Sequence, residues 1–295
     1  MTHFHIVHLV PTERHHGLYG YNEVIQTITW GLQSLGHTVT YGKNQFVVDC
    51  KNIVFGHQIA EENILAMVPK GSIVYNLEQY NRLAHEDIAN DPRFSFAYTV
   101  KNFEIWDYSE DNIALWKKLG NAYPVSKVPI GYAPVLTHIP KAEVQDIDVL
   151  IYGSPSENRV EILKRLCGQG LRIMFLYGFY GAARDAMIAR SKIVLNIGQY
   201  DKTFEIVRVS YLMANRKAVV ADLYENITIE SDIASGVLFA GFDQVVPCCL
   251  QLLENDGARI ELENRGFDAI SKRNITPILD AALKGELVVV PGTTY

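Results

Sequence analysis

The sequence predicts an α/β fold of two Rossmann-like domains facing a cleft. Two observations carry this expectation. Short apolar runs rich in Val and Ile alternate with longer stretches of helical periodicity, the pattern of parallel βαβ units. That alternation also restarts near the middle of the 295 residues, after a stretch with two prolines and few periodic positions.

The elements follow in order. Phe4 to Val10 reads as a first strand, and Asn22 to Leu35 as a helix stopped by Gly36. His37 to Tyr41, Asn52 to Phe55 and Ser72 to Asn76 read as the second, third and fourth strands. Phe103 to Tyr108 and Ala122 to Val128 are further short strands around a helix from Glu110 to Leu119. Gly131 to Ala142 reads as a connection, so the expected domains are 1–142 and 143–295. The second cycle has strands at Asp148 to Tyr152, Leu171 to Tyr177, Lys192 to Ile197 and Ala218 to Ala221. Between them run helices from Ser156 to Cys167, Ala182 to Arg190 and Phe204 to about Lys217.

Composition narrows the function classes. With 27 basic and 33 acidic residues the net charge is −6, which speaks against broad adhesion to nucleic acid or an anionic membrane. The four cysteines (Cys50, Cys167, Cys248, Cys249) show no CxxC spacing, as in a reduced cytoplasmic protein. The N-terminal MTHFHIVHLVP lacks the charged region and small-residue cleavage site of a signal peptide. No apolar run approaches the roughly 20 residues of a spanning helix. HExxH, zinc-type Cys/His spacing, Walker and GxSxG motifs are absent from the sequence.

The segment Ser191 to Asp222, SKIVLNIGQYDKTFEIVRVSYLMANRKAVVAD, is the most informative. A buried strand ends at Asn196 and Gly198, a polar loop follows, and a helix opens with Glu205 and Arg208 in its first turn. Helix N-termini attract phosphate through unpaired N–H groups and the helix dipole. Glu205 and Arg208, three apart and on one face, offer a carboxylate for sugar hydroxyls and a guanidinium for a nucleoside diphosphate. Gly153, after the first strand of the second half, allows close backbone approach, and Ser156 is placed to cap the next helix. His57, Glu78 and Gln79 follow predicted strands, where ligands collect in open α/β sheets; helix capping is the alternative for them.

This strand–Asn–loop–Glu–helix–MANRKAVV order resembles the donor-binding segment of two-domain GT-B glycosyltransferases, over Asp148 to Asp222 well and the first half in outline. It is nearest to small bacterial and viral relatives whose segment reads LN…FE-x-x-R…LANRK. The common retaining pattern has two glutamates eight residues apart; here Thr203 and Tyr211 occupy those positions, leaving Glu205 as the nearest substitute. The resemblance implies a metal-independent hexosyltransferase without a cofactor, taking a nucleoside-diphosphate sugar as co-substrate in the second half and an acceptor in the first. It implies that Arg159 and Arg208, with Lys217, face the diphosphate, and that Tyr177 and Gly178 flank the base. It implies that the loop carrying Gly17 faces the cleft, with His15 or His16 as base for the acceptor hydroxyl. A terminal helix, Thr276 to Leu283, is expected to pack back on the first domain. Asp146-Ile-Asp148 imitates a DxD metal motif but opens a strand instead of following one. The donor, the stereochemistry and the acceptor (glycan, lipid-linked sugar, metabolite, protein or modified DNA) stay open, as do a non-catalytic sugar-nucleotide binder and a sugar epimerase.

Overall fold

The structure is a computed structural model describing residues 1–10, 20–60, 62–79, 103–118, 120, 123–198, 204–224, 227–286, 288 and 292–294. By contacts the chain divides into two units, one of residues 1–130 with 275–289, the other of 131–274 with 290–295. Each holds its own parallel sheet with helices, the expected α/β class.

In the first unit, β1 (His3–His8), β2 (Thr38–Lys43), β3 (Lys51–Phe55), β4 (Ile73–Asn76), β5 (Glu104–Asp107) and β6 (Val125–Lys127) form one sheet in the order β2-β1-β3-β4-β5-β6. Every pairing is parallel. The chain leaves β1 for β2 on one side through α1 (Asn22–Ser34), then turns to build β3 on the other side, so the strand order reverses between β1 and β3. Helix α1 buries Val24, Ile25, Ile28 and Leu32, spaced as one helical face demands. A one-turn α2 (Glu62–Leu65) and α3 (Glu110–Lys118) follow.

The second unit begins earlier than the sequence suggested. Residues 131–142 belong to it, and their hydrogen bonds end there: Thr137 Oγ1 donates to Ala214 O at 2.9 Å, and the His138 and Ile139 N–H groups donate to Asn215 Oδ1 at 3.0 and 2.9 Å. Its sheet contains β7 (Ile147–Tyr152), β8 (Ile173–Leu176), β9 (Ser191–Asn196), β10 (Ala218–Leu223) and β12 (Leu238–Gly241), ordered β12-β10-β9-β7-β8, all parallel. A separate antiparallel pair joins β11 (Thr228–Glu230) to β13 (Gly292–Thr294). All six residues of β7 are buried, as helices on both faces of a parallel sheet require. Strand order here reverses between β7 and β9.

The helices are α4 (Glu157–Cys167), α5 (Gly181–Arg190), α6 (Ile206–Ala214), α7 (Ser231–Ala234), α8 (Val245–Glu254) and α9 (Asp256–Ser271). Ser156 caps α4, its Oγ accepting from the Arg159 N–H at 3.3 Å. Asn255 ends α8 and caps α9, accepting from Ala258 N at 2.9 Å. Pro247 sits in the first turn of α8, where no helical N–H is needed. The last helix, α10 (Ile275–Lys284), belongs to the first unit and sets Ile275 and Leu279 against Gly31 of α1.

Candidate functional site

Ligands of open α/β sheets bind beyond the strand carboxyl ends where strand order reverses. In the second unit that point lies after β7 and β9, and the charged groups gather there. Arg159, on the first turn of α4, is fully buried. Its Nε donates to Ile197 O at 2.8 Å, Nη1 to Ser154 O at 2.6 Å and Nη2 to Glu205 Oε1 at 2.7 Å. Burial pulls this guanidinium below the ordinary arginine value, and the Glu205 charge pushes back. Arg208 pairs with Glu205 Oε2 at 2.5 Å, donates to Asn196 Oδ1 at 3.3 Å and lies over the Tyr152 ring at 4.9 Å.

The two arginines meet over Gly153. A Cβ there would fall 2.8 Å from Arg159 Nη1 and 2.9 Å from Arg208 Nη2, and φ is +127°, so only glycine fits. Two like charges so close need a counter-charge, which Glu205 supplies from between them. Helix α6 starts at Ile206, two residues later than expected, which makes Glu205 its N-cap; the side chain makes no capping bond and serves the arginines instead. The Asn196 amide nitrogen is buried with no hydrogen-bond partner among the described residues, while its Oδ1 meets Arg208. Asp222, at the end of β10, accepts from the Gly198 N–H at 3.1 Å and from the Tyr224 hydroxyl; burial pushes it up to about 6, against these bonds and with help from the Glu205 charge.

Glu205, expected as a hydroxyl ligand, thus sets one carboxylate oxygen on each guanidinium. Replacing it by glutamine is expected to lower the melting temperature, because a buried guanidinium loses its partner, a loss of about 1.5–3 kcal/mol for a charged hydrogen bond. Saturating nucleoside diphosphate is then expected to raise that temperature more in the variant than in the wild type, since phosphate restores the negative charge. Equal ligand-induced shifts in the two proteins would contradict this role.

Other expected residues divide. Tyr177 is half exposed beside Gly178 (φ +76°), just past the carboxyl end of β8, whose last residue Leu176 pairs with Tyr152. Lys217 is a correction: it precedes β10, at the sheet edge opposite Gly153, and its Nζ donates to Ala189 O and Ser191 O, both at 3.2 Å. Burial lowers its pKa to about 8. His15, His16 and Gly17 lie outside the described residues. Asp146 and Asp148 are neutralised by Arg190 and by Arg172 and Lys192, and among the described residues no His, Cys, Asp or Glu cluster could hold a metal ion.

The sequence reading missed Arg184 of α5. It is buried, 4.6 Å over the Tyr211 ring and 5.8 Å from the Tyr152 ring, so Tyr211 serves as a packing surface for an arginine. The available signal was a charged residue on the sheet-facing side of a helix.

The first unit holds a second polar group at its strand ends. Asp107 is completely buried and accepts from Asn76 Nδ2 (2.7 Å), Trp116 Nε1 (2.9 Å), the Ser109 N–H (2.9 Å) and Asn112 Nδ2 (3.2 Å). Burial raises it to about 7, opposed by the four donors. A carboxyl whose folded pKa exceeds its unfolded value of about 3.9 binds its proton more tightly when folded. The stability it contributes is fully present below about pH 3.9 and is lost as pH rises through about 7. The melting temperature should accordingly fall from pH 4.5 to 7.5 more steeply in the wild type than in Asp107→Asn; parallel profiles would refute this.

No family model matches the chain. It is 24% identical over 224 residues to the uncharacterized protein R358 of Acanthamoeba polyphaga mimivirus, covering 73% of this chain and 76% of that one. Solved structures align over nearly the whole length. The T4 phage enzyme BGT with its UDP-glucose substrate matches at TM-score 0.58 and 14% identity, covering 96% of this chain and 99% of that one. Sucrose-phosphate synthase of Thermosynechococcus elongatus matches at 0.62 and 10%, covering 97% and 99%. HepE of Anabaena in complex with UDP-glucose matches at 0.59 and 9%, covering 97% and 100%. These are GT-B glycosyltransferases, and the expected fold is confirmed: the chain has the two-unit α/β fold of the GT-B type.

Proposed function

We propose that the chain is a glycosyltransferase of the hexosyltransferase class, moving a sugar from a nucleoside-diphosphate sugar to a hydroxyl acceptor without a metal ion or resident cofactor. The observation that carries the reading is the pair of guanidiniums converging over Gly153 at the switch point of the second sheet. Several neighbours of this fold bind UDP-glucose, which makes a uridine donor the first to try. Arg208, the more exposed of the two, receives the diphosphate, and Arg159 holds the loops after β7 and β9 in place. Together with the N–H groups at the start of α6 they stabilise the charge that builds on the leaving diphosphate. The second unit is thus the donor unit and the first the acceptor unit. Tyr177 stacks on the base.

A melting-temperature screen of nucleotides and nucleotide sugars tests the donor. A ligand at 100 times its Kd stabilises by about 2.7 kcal/mol. Hydrolysis of the stabilising sugar nucleotide then separates the classes: a transferase releases free sugar and nucleoside diphosphate slowly, a binding protein leaves the donor intact, and an epimerase returns a different sugar nucleotide. Absence of any stabilising nucleotide would refute the reading.

A further inference from the structure

A row of alternating charges and rings runs through the second unit, and only one end of it forms the arginine pair over Gly153. In order it is Asp185, Arg184, Tyr152, Arg208, Glu205 and Arg159. Arg184 Nε and Nη2 donate to Asp185 Oδ1 at 3.0 and 2.9 Å. The Arg184 guanidinium lies 5.8 Å from the Tyr152 ring, and that of Arg208 lies 4.9 Å from the same ring. Glu205 then joins Arg208 to Arg159, at 2.5 and 2.7 Å. The members come from α5, the end of β7, the start of α6 and the start of α4.

Arg184 is buried, and taking a guanidinium out of water is costly. An apolar side chain of similar volume would pack α5 equally well, so packing alone does not account for the charge. Its surroundings hold it in one place. Tyr211 puts its ring 4.6 Å away and its hydroxyl 3.1 Å from His138 Nε2, while His138 Nδ1 donates to Val135 O at 3.1 Å. Asp185 Oδ2 is 3.5 Å from the same His138 Nε2.

The buried Tyr152 ring thus attracts a cation from each of two helices, and a shift away from either loses one attraction. This matters for Arg208. Glu205 and Asn196 hold it through its N–H groups, which are the groups a diphosphate takes for itself. The attraction of a ring for a cation is electrostatic and uses no acceptor atom. Tyr152 therefore keeps its hold on Arg208 while a diphosphate is bound.

We propose that Arg184 is a positioning residue for the diphosphate site: it fixes the Tyr152 ring, and the ring fixes the Arg208 guanidinium for the phosphate oxygens. The inference rests on the reading of Arg208 as the diphosphate ligand.

The test is a double-mutant cycle on the full chain, reading by calorimetry the Kd of the nucleoside diphosphate selected by the screen, UDP first. Arg184→Met fills similar space without a charge and should raise Kd by about 2- to 30-fold, the range of one cation–ring contact. In Arg208→Ala the guanidinium to be positioned is gone, so adding Arg184→Met should change Kd by less than about twofold. Tyr152→Leu should show the same loss and the same dependence on Arg208, whereas Tyr152→Phe, which keeps the ring, should keep the wild-type Kd. If Arg184→Met does not fold, Arg184→Gln takes its place in the cycle with the same expectation. Equal losses in the wild-type and Arg208→Ala backgrounds, or a lower melting temperature with unchanged Kd, would make Arg184 purely structural and overturn this assignment alone. A wild-type chain that binds no nucleoside diphosphate, or an Arg208→Ala that binds it as tightly as the wild type, would overturn the diphosphate reading and this assignment with it.

Discussion

Replacing Gly153 by alanine is expected to weaken nucleoside-diphosphate binding and to destabilise the protein at once. Two independent penalties meet at this position. An alanine at φ +127° sits in a region open in practice to glycine, at about 1–3 kcal/mol. Its Cβ would also enter within 3 Å of both guanidiniums, neither of which can retreat freely. Arg159 is held by three acceptors, and Arg208 is held by Glu205 over the Tyr152 ring. The melting temperature should fall by roughly 3–10 °C, at about 2–4 °C per kcal/mol for a unit of this size. Nucleoside-diphosphate affinity should fall by roughly 100-fold, since misplacing two charged donors forfeits about 3 kcal/mol or more. Calorimetric binding together with a melting curve checks both. Gly153→Ala with wild-type affinity would show that the arginine pair is not the diphosphate site.

Arg208→Ala is expected to separate binding from stability. Arg208 is the more exposed guanidinium, and its removal leaves the Arg159–Glu205 bond at 2.7 Å in place. Losing one charge-assisted bond to phosphate amounts to about 1.5–3 kcal/mol, hence a 10- to 150-fold rise in Kd for the free nucleoside diphosphate. The melting temperature should change little. Arg165→Ala provides the control: this exposed residue pairs with Glu161 on its own helix and with Asp243, and such surface pairs contribute about 0–1 kcal/mol. Equal affinities in Arg208→Ala and Arg165→Ala would leave Arg208 as a helix-surface residue.

Much of the fold was legible because its signals are local. The Val- and Ile-rich runs at 147–152, 191–196 and 218–223 are buried on both faces and so read as continuous apolar segments. Gly36 and Ser156 mark a helix stop and a helix start by their own backbone and side-chain chemistry. The stretch from 223 to 275 was harder. Its strand β12 has four residues, and α8 carries a proline near its start, so neither displays enough periods to be read with assurance. The connection at 131–142 was assigned by its prolines, but its membership depends on the side chain of Asn215, some 76 positions away.

By itself the sequence determined the fold class and the strand ends after which Gly153, Arg159, Glu205 and Arg208 lie. Each is set by composition and spacing within about twenty residues of a strand end. Tertiary structure alone decided how those groups are used. Glu205 sits between two guanidiniums because Arg159, 46 positions earlier, reaches it. Lys217 falls at the opposite sheet edge because it precedes its strand while the others follow theirs. Arg184 and Glu78 gain their surroundings from helices and loops distant in sequence, Arg184 from Tyr152 and Tyr211, Glu78 from Gln58 and Asn112. The physical reason is common to all four: a charge's role depends on which opposite charges, donors and rings surround it. In a parallel sheet those neighbours come from strands adjacent in space and not in sequence.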